Sequence, residues 1–183
     1  MPQSVEMICQ QLVKNSKLVA NCNDFVQAVA AKVASEYKLN DFSSVLLGNA
    51  NAIRARFGSP GSTLKPLVYI GTNPNLATKF ATDGQFVIGG LTSAEMTYTG
   101  RDKHEHKATM GHVVVVVPGG PSKACHIRLM NGVDQAVRGG YPYCYQGAAH
   151  EIYRFTERTQ VDAVFPALLL NRIIYAYIAI KTV

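Results

Sequence analysis

Gly111-His112-Val113-Val114-Val115-Val116-Val117 is the stretch whose reading decides the fold. Five consecutive valines carry no amphipathic period. Their β-branched side chains favour extended backbone, and so short an apolar run reads as a strand buried within the protein. His112 stands at its mouth. About ninety residues earlier, Asn21-Cys22-Asn23-Asp24-Phe25-Val26-Gln27 has a different character. Asn21 is a good N-cap residue, and Phe25, Val26, Val29, Ala30 and Val33 recur at helical spacing. Cys22 precedes Phe25 and Val26 by three and four residues. It therefore lies on the side of the buried stripe, at the helix start, where a cleft can form.

A free thiol is only a few per cent ionised near neutral pH, yet the thiolate is the nucleophile. Unpaired N–H groups in the first turn of a helix favour negative charge there, and a nearby imidazolium adds to the effect. Cys22 is placed for the first contribution and His112 can supply the second. Backbone N–H groups at the same helix start can hold an oxyanion. That is the minimum equipment of a cysteine hydrolase. The same residues also read as packing: a cysteine on an apolar helical face is commonly core, and a histidine before a valine run is commonly a satisfied structural residue. No spacing rule fixes a pairing across ninety residues, so the bare residues leave both readings open.

Outward from these two segments, Val5, Ile8, Cys9, Leu12 and Val13 predict a first helix over 4–14, with Cys9 a structural thiol. Leu46 to Ile53 ends a loop and opens a short helix. Gly58 to Pro66 reads as a surface loop, Leu67 to Ile70 as a strand, and Gln85 to Ile88 as a short strand after the Asp83-Gly84 turn. Thr92 to Met110 is polar and reads as an exposed excursion. Pro118 to Pro121 turns the chain, His126 to Met130 alternates as an outer strand would, and Ile173 to Ile180 is the last strong element. Helices first and then mostly strands imply an α+β domain, with N-terminal helices packed on a central antiparallel sheet.

The 183 residues suffice for one domain with a real core, 1–183, and 48% hydrophobic against 16% charged residues argues for a globule. The formal net charge of +6 suits an anionic partner, such as nucleic acid, a membrane surface or bacterial cell wall. The basic residues are dispersed rather than massed, so no nucleic-acid partner is expected. Four cysteines, Cys9, Cys22, Cys125 and Cys144, are too few for a disulfide scaffold, although one or two bridges stay open. Met1-Pro2-Gln3-Ser4 lacks the basic start and apolar follow-on of a secretory signal, and the apolar tail from Ala167 to Ile180 is broken by Asn171-Arg172. The expectation is a protein made in the cytoplasm without membrane insertion. No phosphate-cradling glycine loop is present, so nucleotide chemistry is disfavoured. His104, Glu105 and His106 with Cys125-His126 and His150 lack ligand spacing for zinc, and no metal or other cofactor is expected.

Asn21 to Ala31, followed by Gly48-Asn49-Ala50-Asn51-Ala52-Ile53, resembles the nucleophile segment of the type VI secretion amidase effectors, the first family above all. Gly84 to Leu91 and Gly111 to Val116 resemble that family's strand and histidine segment, and Tyr141-Pro142-Tyr143-Cys144-Tyr145-Gln146-Gly147 resembles the next strand. Val161 to Phe165 and Asn171 to Ile178 look like its C-terminal elements. The resemblance implies a papain-like fold of the NlpC branch and hydrolysis of a peptidoglycan stem peptide at the bond between γ-D-glutamate and meso-diaminopimelate. It implies Cys22 as nucleophile and His112 as general base and acid. The third, orienting position falls at Gln146, an amide where family members carry a thiol; a backbone carbonyl is the alternative. Expected substrate-binding positions are Asn21, Asn51 and Cys144; helix capping is the plainer role for Asn49 and Asn51, and core packing for Cys144. Two regions, Leu91 to His112 and Lys123 to Gly140, are longer than the family's pattern. The implied partners are bacterial peptidoglycan, a cognate immunity protein and the type VI secretion apparatus, which would deliver the toxin into a rival's periplasm. Two further readings stand beside this one: a deamidase or acyltransferase acting on a protein side chain, and a non-catalytic wall-binding module with Cys22 as core.

Overall fold

In the computed structural model the valine run occupies an interior strand of a six-stranded sheet. The structure describes residues 2–40, 42–58, 66–99, 103–120, 125–128, 134–137, 140–149 and 154–180, with only the backbone of 125–128 and 134–137. In chain order the elements are α1 (Val5–Leu12), α2 (Cys22–Glu36), α3 (Ala50–Ala55), β1 (Leu67–Gly71), α4 (Pro74–Thr82) and β2 (Phe86–Leu91). The short β3 (Tyr98–Thr99) and β4 (Glu105–His106) precede β5 (His112–Val117), β6 (Cys125–Arg128), β7 (Asp134–Val137) and β8 (Tyr143–Tyr145). Then come β9 (Thr159–Gln160), α5 (Val161–Val164) and β10 (Ile174–Ile178). Spatial order in the sheet is β1-β10-β2-β5-β8-β9, and every neighbouring pair is antiparallel. The architecture is α+β.

Side chains alternate across a strand, and here both faces are covered. Val113, Val115 and Val117 share one apolar cluster with Phe25, Val29 and Val33 of α2 and with residues of α1 and α3. Val114 and Val116 share a second with Ala77 and Ala81 of α4, Phe165 and Tyr175. Burial on both faces explains a strand without alternation, and each valine contributes about 1.5–3 kcal/mol relative to exposure.

The helices form where capping and periodicity agree. Ser4 caps α1 by accepting from the Met7 N–H at 3.2 Å. The buried face of α2 runs Cys22, Phe25, Val26, Val29, Ala30, Val33, Ala34. The helix stops where Lys38 turns left-handed at φ 53° and the Leu39 N–H returns to the Ala34 carbonyl at 2.9 Å. Asn73 caps α4 from the residue before Pro74, which takes the first helical position.

One element was missed, one expectation needs correction and one gains detail. α4 was not anticipated, although Asn73-Pro74 and the apolar Leu76, Ala77, Phe80 and Ala81 carry its signal. The strand expected over His126–Met130 is β6, which pairs with β7 in a separate hairpin rather than forming the outer strand of the main sheet. The excursion expected over Thr92–Met110 contains the β3–β4 hairpin and lines a groove. Most of the loop expected over Gly58–Pro66, and Met130, His150 and much of Lys123–Gly140, lie outside the described residues. No helix among the described residues is long and apolar enough to cross a membrane.

Where β2 meets β10, Gly89 stands directly opposite Tyr175, and a Cβ on it would come within 2.8 Å of the buried tyrosine ring. Gly89→Ala is therefore expected to lower the unfolding free energy by about 1–3 kcal/mol through overpacking, read from urea denaturation midpoints. An unchanged midpoint would show that the ring has room to move.

Candidate active site

Gly147 follows the end of β8 and explains how a distant helix start reaches the sheet. A Cβ at this glycine would collide with the Asn21 carbonyl and sit 3.1 Å from the Val19 oxygen. Beside it the Ala148 N–H donates to the Val19 carbonyl at 2.8 Å. Bare backbone thus seats the segment before α2 against the exit of β8. Gly111 makes the same allowance on the other side, because a Cβ there would collide with the Asn51 amide oxygen and lie 2.6 Å from the Leu91 carbonyl.

This docking brings together Cys22, His112 and Gln146. The β5–β8 register pairs Val115 with Tyr145 and Val116 with Cys144. Continued by one residue it sets Gln146 opposite Val114, diagonal to His112 and on the same face. The Gln146 Oε1 and the His112 Nε2 are hydrogen-bonded, so Nε2 carries the proton and the ring's Nδ1 is left for the thiol. The Cys22 thiol and the His112 ring are in hydrogen-bond contact. Phe165 meets the imidazole edge-on, with centroids 5.4 Å apart and ring planes at 67°. The histidine is held on three sides.

The electrostatics follow. Burial pushes the Cys22 thiol up, but the hydrogen bond and charge of His112, helped by the Val113 and Asn23 backbone N–H groups, outweigh it and set it below the ordinary thiol range. Burial pushes His112 down, but the bond and charge of Cys22, and then Gln146, raise it above the usual imidazole value. The shifts are opposite in sign because each group favours the charged form of the other, thiolate beside imidazolium. Cys22 keeps 9% exposure and opens on a groove of about 690 Å³. Asparagines 21, 23, 49 and 51 line it together with Met96, Met110, Phe155, Val164, Phe165 and Pro166.

Other anticipated residues fall differently. Asn21 is at the N-cap position of α2 but makes no side-chain cap bond; its amide donates to Asp24 at 3.0 Å instead. Asn51 lines the groove with its amide engaged, accepting from the Ser93 N–H at 2.8 Å and donating to the Ser93 hydroxyl at 3.0 Å. One turn on, Arg54 pairs with Glu95 at 2.7 Å, so α3 is clasped twice to the turn after β2. Asn49 caps α3 through the Ala52 N–H at 3.0 Å. Cys144 is not a groove residue. It faces the second core, fully buried beside Val116, where burial drives its thiol far above the ordinary range. Cys9, Cys22 and Cys144 are free thiols. Among the described residues no group of three or more His, Cys, Asp or Glu side chains is placed to hold a metal ion, and His106 stacks on Tyr98. Gly111, Gly147 and Phe165 are the positioning residues that sequence reading missed; only the glycines beside His112 and Gln146 hinted at close approach.

No family model matches the chain, and no curated protein is significantly similar to it.

Iodoacetamide alkylation of Cys22 is expected to proceed well below the ordinary thiol range near pH 8.5 and to slow as pH falls through the lowered thiol value. In His112→Ala the hydrogen bond and charge of the imidazole are lost, and only the Val113 and Asn23 backbone N–H groups remain to oppose burial. Alkylation at pH 7 is then expected to slow by about tenfold or more, because the influence that most favours the thiolate is gone. Coincident pH profiles for the two proteins would show that no ion pair forms.

Proposed function

We propose that this chain is a cysteine amidase of papain-like, NlpC-type fold that hydrolyses peptidoglycan stem peptides and acts as an injected antibacterial toxin. One observation carries the chemistry: the Cys22–His112–Gln146 hydrogen-bonded chain on an open groove. The order of elements supports the fold reading, with a thiol at the start of a helix packed on an antiparallel sheet and an imidazole on an adjoining strand. The wall substrate is supported by the resemblance of the Cys22, His112 and Gln146 segments, in chain order, to the type VI secretion amidase effectors. The net charge of +6 agrees with an anionic wall polymer.

In the reaction the Cys22 thiolate attacks the amide carbonyl, a C–S bond forms, and the carbonyl π pair moves onto oxygen. The first-turn N–H groups of α2 face that charge. The tetrahedral adduct collapses as the C–N bond breaks, and His112 gives its Nδ1 proton to the departing amine. Water then attacks the thioester while neutral His112 takes its proton, and the C–S bond breaks to return the thiolate–imidazolium pair. Gln146 holds Nε2–H throughout, which keeps Nδ1 aimed at sulfur. The bond between γ-D-glutamate and meso-diaminopimelate is the proposed target. A cognate immunity protein that covers the groove and delivery by the type VI secretion apparatus belong to the same proposal.

Purified sacculi incubated with wild type are expected to release soluble fragments whose masses identify the bond cut. Cys22→Ala is expected to release none, and His112→Ala to lose at least 99% of the rate, about 10² or more, while keeping its circular dichroism. Sedimentation with sacculi without fragments would mean a wall-binding module. Ammonia released from a protein substrate would mean a deamidase.

A further inference from the structure

Asp24 grips both amides that flank the nucleophile. Its Oδ2 accepts from the Asn21 Nδ2 at 3.0 Å and its Oδ1 from the Asn23 Nδ2 at 2.8 Å. A carboxylate is an acceptor only, so both asparagines must turn their NH₂ groups toward it. The arrangement has a cost. At the third helical position Asp24 sets a negative charge in the same first turn that is meant to favour the Cys22 thiolate. It also takes the Asn21 side chain away from capping the first turn. A plain structural cap would do the reverse.

What the grip secures is direction. An amide nitrogen has two hydrogens, and Asp24 takes one of the pair on Asn21. The Asn21 backbone is extended, at φ −140° and ψ 142°, and its carbonyl is seated against Gly147, so the residue is fixed at both ends. Asn21 lines the groove immediately before the nucleophile. Asn23 serves as the second arm that holds Asp24 in place, while its own backbone N–H bonds the sulfur.

We propose that the second Nδ2–H of Asn21, aimed by Asp24, is a donor to the oxyanion that forms when Cys22 attacks a carbonyl. Asn21 is then a catalytic residue and Asp24 a positioning residue. This rests on the reading of Cys22 as an acyl-accepting nucleophile, and it adds to the backbone donors of α2 a side-chain donor that only an acyl transfer would use. It does not depend on which amide is the natural substrate.

Two reagents separate this role from a structural one. With p-nitrophenyl acetate the thiolate attacks the acetyl carbon, an oxyanion forms, and p-nitrophenolate leaves with its electron pair. With iodoacetamide the S–C bond forms as C–I breaks and iodide leaves, with no oxyanion. Asn21→Ala is expected to slow acylation by about 10²-fold and Asp24→Ala by about 10- to 100-fold, as for a lost or misaimed oxyanion donor. Both variants should keep the wild-type alkylation rate within about twofold, because the ion pair with His112 is intact. Acylation and alkylation falling in parallel would assign these residues to folding and overturn the proposal, as would wild-type acylation in Asn21→Ala. If wild-type Cys22 is not acylated at all, the nucleophile reading fails and this donor with it. If acylation behaves as described but sacculi stay intact, the donor stands and only the wall substrate is wrong.

Discussion

Between the turn that ends at Ala20 and the exit of β8 there is a seam made almost wholly of backbone, the Ala148 N–H on the Val19 carbonyl and the Asn21 carbonyl against Gly147. The site depends on it. Closing a loop of about ninety residues adds little entropy cost beyond a shorter one, because that cost grows only with the logarithm of length. The difficulty is precision, since an attacking sulfur and its base must meet within a few tenths of an ångström. Because β5 and β8 are neighbours in register, seating the start of α2 on one of them fixes Cys22 relative to both His112 and Gln146. A side-chain seam would carry rotamer freedom; glycine against carbonyl carries none.

The chain contains its own comparison for the electrostatics. Cys9, Cys22 and Cys144 are all buried thiols, and in each burial is the largest influence and acts upward. Cys9 and Cys144 stay raised, with only further negative groups nearby. At Cys22 alone an imidazole and two backbone N–H groups reverse the sign. Helix position is thus not the main cause, since the contact with His112 ranks ahead of the amide contributions. The Gln146 amide matters for the same reason: by accepting at Nε2 it favours the doubly protonated ring, a role that a thiol at this position would fill more weakly.

The valine run and the α2 stripe were legible because each is a local pattern with a physical cause. The Cys22–His112 pairing was not, since no spacing rule joins residues about ninety positions apart and only the family resemblance singled it out. Covering of the second sheet face was less legible too, since α4 announces itself through a cap and four apolar positions, and α5 spans only Val161–Val164. Strand parity alone places Cys144 and Gln146 on one face. What separates them is that Cys144 packs in the second core cluster with Val161 and Phe165, while Gln146 reaches the groove. That distinction belongs to tertiary packing. Asn51 likewise reads as a polar groove residue until Ser93, 42 positions away, takes both ends of its amide.

The groove also shows where the excess positive charge does not act. Among the described residues that line it, Lys107 is the one charged side chain apart from the Cys22–His112 pair, and it pairs with Glu105 on the exposed rim at 3.0 Å. An exposed pair of that kind contributes at most about 1 kcal/mol. The lining combines asparagine amides with methionine, aromatic and aliphatic surface. Such a surface suits a peptide backbone with short or aliphatic side chains, and it lowers the local dielectric around the thiolate–imidazolium pair, which strengthens their attraction. Under the proposed function the basic residues outside the groove would serve to hold the protein against an anionic polymer rather than to read the target bond. Surface charge outside the groove can therefore vary without disturbing the hydrogen-bonded chain from Cys22 to Gln146.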